Sequence, residues 1–176
     1  MLSRFILALV LGQALLVSAA EPAAEEYHVK GAFLINFAKF VDWPEQVFKG
    51  PSDPILICVV GQNPFGPGLE RAARDTIVAN RSVSVREISD AQQAAQCRIV
   101  FLSAAEKKRS RTLLQALQSG SVLTVGEWEG FIASGGVINF RLEEEKVRIE
   151  INTASADRAK LRISSKLLSL AQAGKR

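Results

Sequence analysis

Few side chains in this 176-residue chain suit covalent or acid–base chemistry, since its only histidine is His28 and its only cysteines are Cys58 and Cys97. A histidine acting as base or metal ligand needs a second group to orient it or to share the metal. No HExxH, CxxC or GxSxG occurs in the sequence, so His28 reads as a helix-end residue. The densest carboxylates, Glu143 to Glu145, fall between two strand-like runs, where neighbouring side chains point outward into water. The remaining candidate is the loop Gly61-Gln62-Asn63-Pro64-Phe65-Gly66-Pro67-Gly68. Doubly wound sheets bind ligands at the carboxyl ends of their strands, and this loop follows the first one. Its glycines are not spaced as GxGxxG, it lacks Gly-Lys-Ser/Thr, and Pro64 and Pro67 remove N–H groups that would cradle phosphate. A dinucleotide site is therefore disfavoured. Two readings stay open for Gly61, Asn63 and Phe65: a small-molecule cleft, or a rigid turn plugged by Phe65. Neither a catalytic set nor a metal or cofactor is expected.

The elements that position these residues come after an export signal. Arg4 gives a short positive region, Phe5 to Leu16 an apolar run, and Val17-Ser18-Ala19-Ala20 the small residues a signal peptidase needs. A transmembrane anchor is the alternative, but a dozen apolar residues are too few to cross about 30 Å of hydrocarbon. Residues 1–20 are thus expected to be a signal peptide, 21–26 (EPAAEE) a flexible linker, and 27–176 a single domain. Hydrophobic residues at 48% and charged residues at 23% mark that domain as globular rather than disordered. The net charge of +4 is not gathered into a stripe with interleaved aromatics, and Lys107, Lys108, Arg109 and Arg111 read as a solvated helix face. Nucleic acid is excluded as a partner on that ground. Two cysteines in an exported chain invite a disulfide, and closing a loop of about forty residues contributes roughly 4 kcal/mol before strain. The alternative is a pair of buried free thiols.

The stretch from Val29 to Pro44 (VKGAFLINFAKFVDWP) predicts a helix over residues 27–41, apolar nearly all round and ended by Pro44. Val29, Phe33, Phe37 and Phe40 share one sector, extended by Leu34 and Val41, with Asn36 beside them. That sector is expected in the core. The flank with Leu34, Ile35 and Ala38 is left for a dimer contact or for packing under the C-terminal helix. Strands are expected at 55–60, 82–87, 98–102 and 121–125, with helices at 68–75, 91–95 and 106–118 between them. Continuous apolar runs such as Ile55 to Val60 (ILICVV) indicate strands covered on both faces. The pattern argues for an α/β fold of Rossmann-like, three-layer type, with a mostly parallel sheet of about four strands flanked by helices. Residues 137–142 and 146–151 read as an antiparallel hairpin at the edge of that sheet. The chain then closes with a helix from about residue 154, broken near Leu161, and a final helical run from Ser164 to Ala171.

Several of these stretches together resemble the YfiR family of exported proteins from Gram-negative bacteria. The resemblance is carried by VKGAFLINFAKFVDWP, by the cysteine-bearing strand followed by Gly61-x-x-Pro64-Phe65-Gly66, and by Cys97 before its strand. It continues through Leu123-Thr124-Val125, Gly130-Phe131, Gly135-Gly136, Arg148-x-Glu150-Ile151-Asn152 and Leu161-x-Ile163-Ser164-Ser165-Lys166-Leu167-Leu168. It implies a periplasmic α/β regulator that is not an enzyme and that can form a homodimer. It also implies two partners: the periplasmic sensor domain of a YfiN-like membrane diguanylate cyclase, which is repressed, and a YfiB-like OmpA-type lipoprotein, which sequesters the repressor. Intracellular cyclic di-GMP, biofilm and motility would be the outputs. The best-known member carries a second cysteine pair near the hairpin. Here Ile132 and Asn139 stand in that neighbourhood, so the basis for redox switching through a second pair is missing. A Cys58–Cys97 bond would require sheet order 2-1-3-4 and an offset register, with Cα atoms within about 7 Å. Arg148, Glu150, Arg158 and Arg162 form the charged surface expected at a partner interface, with ordinary solvated surface as the alternative.

Overall fold

The computed structural model describes residues 20–118 and 120–173. The expected signal peptide therefore lies outside the described residues, apart from Ala20. In chain order the elements are α1 (Ala20–Phe40), β1 (Val41–Asp42), β2 (Ile55–Val60), α2 (Pro67–Arg74), β3 (Ile77–Val78), β4 (Arg81–Ile88) and β5 (Ile99–Leu102). They continue with α3 (Ser110–Leu117), β6 (Leu123–Gly126), β7 (Ile138–Glu143), β8 (Lys146–Ile151), α4 (Thr153–Arg158), β9 (Arg162–Ile163) and α5 (Ser165–Ala173). Short 3-10 segments cover Glu45–Val47, Ala91–Gln96 and Ala104–Arg109. The acidic stretch at 21–26, expected as a linker, lies within α1.

The protein is a mixed α/β domain. Its main sheet has the order β3-β4-β2-β5-β6-β7-β8, and β1 pairs with β9 in a second, antiparallel sheet. The expected order 2-1-3-4 is present as β4-β2-β5-β6, all parallel. The sheet is nevertheless less simply parallel than expected. The first arm of the hairpin, β7, extends the parallel run beside β6, while β8 and β3 run antiparallel at the two ends. Strand β3 was not expected from the sequence. Ala79 and Asn80, at φ 49° and 65°, turn the chain back between Val78 and Arg81, and left-handed backbone at both central positions belongs to a type I′ hairpin turn.

Strand β2 forms where it does because a β-branched run buries on both faces. Ile55, Ile57 and Val59 enter one core with α1, α2 and the C-terminal segment; Leu56, Cys58 and Val60 enter another with α3 and the 3-10 segment at Ala91–Gln96. Asp90 caps that segment, its Oδ1 accepting from the Gln92 and Gln93 N–H groups at 2.9 and 3.1 Å.

Helix α1 turns a different side to the core from the one its aromatics indicate. Leu34, Ile35, Phe37, Ala38 and Val41 are buried, whereas Phe33 and Phe40 are half-buried at the margin and Asn36 is exposed. The flank left for a dimer contact or for packing under the C-terminal helix, Leu34, Ile35 and Ala38, is therefore core, in one cluster with Leu167 and Ala171 of α5. Three contacts explain the rotation. Phe33 and Phe37 converge on Phe140 of β7 with ring centroids 6.0 and 5.9 Å away, and α1 also packs against α2 and α5.

Candidate functional site

The carboxyl ends of the parallel strands, where such folds bind, are filled from within. Gly61 follows β2 at φ 81°, a conformation that favours glycine, and a Cβ there would lie 2.5 Å from Glu106 Oε1. Glu106 is buried and ion-paired with Arg109. Asn63 fixes the loop at both ends of its amide: Oδ1 accepts from the Phe65 N–H at 2.9 Å, and Nδ2 donates to Glu87 Oε1 at 2.8 Å. Phe65 then drops its ring edge-on onto Phe101 at 4.8 Å, with Tyr27 5.6 Å away on α1. Of the two readings open for Gly61, Asn63 and Phe65, the structure has the plugged turn.

Beside Phe65 lies a buried polar cluster that the sequence reading did not single out. Lys30 is 5% exposed and pairs with Glu127 at 2.8 Å and with Glu26 one helical turn back. Glu127, just after β6, also accepts from the Ala104 N–H at 3.0 Å and the Tyr27 hydroxyl at 3.3 Å. Burial lowers the Lys30 ammonium, but the hydrogen bonds and charges of Glu127 and Glu26 more than offset it, leaving it above its usual value. Burial and then the Glu127 charge likewise raise the Tyr27 hydroxyl. A lysine held this firmly protonated is neither base nor nucleophile at neutral pH. It clamps α1 across the ends of β5 and β6. The available signal was a lone lysine on the inward side of an apolar helix, which needs a carboxylate somewhere.

The four charged residues expected at a partner interface do not form one patch. Val147, Ile149 and Ile151 of β8 point into or against the α1 core, so Arg148 and Glu150 occupy the opposite sheet face. Glu150 is engaged there by Arg141 at 2.8 Å and by the Asn139 amide at 3.3 Å. Arg158, on α4, donates to Ser155 Oγ at 2.7 Å. Arg162 sits in β9 opposite Asp42, at 3.6 Å, flanked by Leu161 and Ile163, which pack on the α1 side.

The disulfide is present. Cys58 and Cys97 are joined with Cα atoms 5.9 Å apart, both fully buried. The offset is as the bond requires: Cys58 is level with Val100 in the β2–β5 register, while Cys97 precedes β5. The bond thereby fastens the 3-10 segment at Ala91–Gln96 to strand β2.

A disulfide-fastened α/β domain with a plugged carboxyl end, and a helix clamped over that end by a buried ion pair, is built as a rigid body. The bond fits an oxidising compartment. No helix among the described residues is long and apolar enough to cross a membrane. The chain belongs to the YfiR/HmsC-like family, whose model matches residues 27–172. No curated protein matches it.

Proposed function

We propose that this protein is an exported, non-catalytic regulator that represses an inner-membrane diguanylate cyclase by binding its periplasmic domain. The single observation that carries this reading is the family match across residues 27–172, because YfiR-like proteins are regulators of that kind. The buried disulfide supports a periplasmic location. On this reading a lipoprotein of the OmpA type titrates the repressor, and the protein acts as a homodimer. Arg148 with Glu150 on one sheet face, and Arg158 or Arg162 elsewhere, are then alternative contact points rather than a single one. Deleting the gene should raise cyclic di-GMP and increase biofilm, with restoration by the exported protein in trans. Unchanged cyclic di-GMP after deletion would sink the reading. A second reading, a small-molecule binding or sensor module acting on a different membrane partner, is favoured by one observation, a concavity beside Arg98.

A further inference from the structure

Arg98 stands at the amino end of β5, the end of the sheet opposite the plugged one. It is 7% exposed, yet among the described residues its guanidinium makes no ion pair and no side-chain hydrogen bond. Its backbone is fully used, with N–H to Leu56 O at 2.8 Å and carbonyl to the Leu123 N–H and the Trp43 indole. Its guanidinium lies over an aromatic ring, that of Phe48, with centroid 5.6 Å from Cζ. Arg81 shows the contrast. It stacks on the same ring at 3.8 Å, but its Nη1 also donates to the carbonyls of Gly50 and Asp53 at 2.7 and 2.9 Å. The opposing charge that acts on Arg98 is that of Asp53, whose Oδ2 accepts from the Lys49 N–H. Burial depresses the Arg98 guanidinium, and Asp53 only partly offsets this.

Among the described residues, no Arg98 nitrogen is a fully enclosed atom without a partner, so water reaches its donors, and a ligand carboxylate can take that water's place. Arg98 borders a concavity of about 370 Å³, within the usual range for small-molecule sites. The other walls include Gln92, Ala94, Ala95, Leu117 and Val122, one amide and otherwise small or apolar side chains. The planar fork of arginine matches a carboxylate in a bidentate manner. The apolar walls suit a hydrocarbon body attached to that carboxylate better than a fully hydrated oxyanion.

We propose that Arg98 and this concavity bind a small organic carboxylate with a short apolar body. The proposal is independent of the cyclase reading, since it concerns a ligand and not the partner. Because Cys97 precedes Arg98, the disulfide holds one wall of the site.

The test uses the purified protein with butyrate, benzoate, neutral benzamide and inorganic phosphate, followed by thermal shift and calorimetry. Saturable stabilisation by butyrate or benzoate is expected, with none by benzamide and a weaker response to phosphate. Arg98→Gln should weaken carboxylate binding at least about tenfold, the loss expected for a charge-assisted hydrogen bond. Ala95→Glu places a carboxylate in the concavity, and should raise Tm while abolishing the response. The proposal fails if neither carboxylate gives a saturable shift, if benzamide matches benzoate, or if R98Q binds like the parent. A response to phosphate equal to that of benzoate overturns the apolar body. Should R98Q fail to fold, an A95E protein that still responds like the parent overturns the site.

Discussion

Two buried cations at opposite ends of one sheet have been treated differently by the fold. Lys30, at the carboxyl end, has two carboxylates and an aromatic ring around it. Arg98, at the amino end, has one ring and, among the described residues, no carboxylate within ion-pairing distance. The first arrangement completes itself, and the second is completed only from outside. The end at which α/β sheets ordinarily bind has been turned into structure here, and the end that ordinarily is structure has been left open. A cation's burial therefore says little about function until its acceptors are counted.

The comparison is broken most easily at Lys30. Lys30→Met leaves Glu127 buried without its cation and should cost about 3–5 kcal/mol, whereas the double variant with Glu127→Leu should recover much of that loss. Chemical denaturation of both proteins checks this, and a single variant as stable as the parent would mean the clamp is not one. Next in size is the disulfide. Its removal as Cys58→Ala with Cys97→Ala should cost roughly 4 kcal/mol by loop entropy over the 39-residue separation. It should also blunt the carboxylate response at Arg98 while leaving the effect of K30M intact. With both sulfurs buried, dithiothreitol should reduce the bond in denaturant but not in native buffer, as read by alkylation and mass spectrometry.

Arg98→Gln should behave in the opposite way to Lys30→Met. Removing a charge whose donors are met by water should change stability by no more than about 1 kcal/mol, in either direction. A loss as large as that of K30M would show Arg98 to be a second clamp. The smallest effect is a slope in pH. Because the folded-state values of Lys30 and Tyr27 lie above their ordinary 10.5 and 10.0, the native state holds those protons longer than the unfolded chain. Their contribution is complete below about pH 10 and is lost as pH rises through the raised values. Unfolding curves between pH 8 and 12 should show that decline, and K30M should show less of it.

Legibility in the sequence tracked how local each cause was. Strand β2 and the order β4-β2-β5-β6 could be read, because six apolar residues in a row and alternating elements leave few arrangements. The cysteine pair could be read for a similar reason, since there was one partner for each thiol. The orientation of α1 could not. A helix apolar on nearly every side has no dominant face, and its contacts with Phe140, α2 and α5 decided which way it turned. Strand β3 was hidden because its turn uses Ala79-Asn80, with no glycine to mark it. The two cations were hidden for a stronger reason. Lys30 and Glu127 are 97 residues apart, and the surroundings of Arg98 come from Trp43, Phe48 and the 3-10 segment. No window of sequence contains either environment.

The pairing of β1 with β9 has a mechanical consequence. Val41 lies opposite Ile163 and Asp42 opposite Arg162, so the strand leaving α1 and the strand entering α5 meet at one end. Tension applied to the two chain termini enters this pair from the same side. It therefore opens like a zip, one bond after another, rather than in shear with all bonds loaded together. A pull on both ends should peel α1 and α5 away before the main sheet feels the load, leaving the stretch between Cys58 and Cys97 closed by its covalent bond.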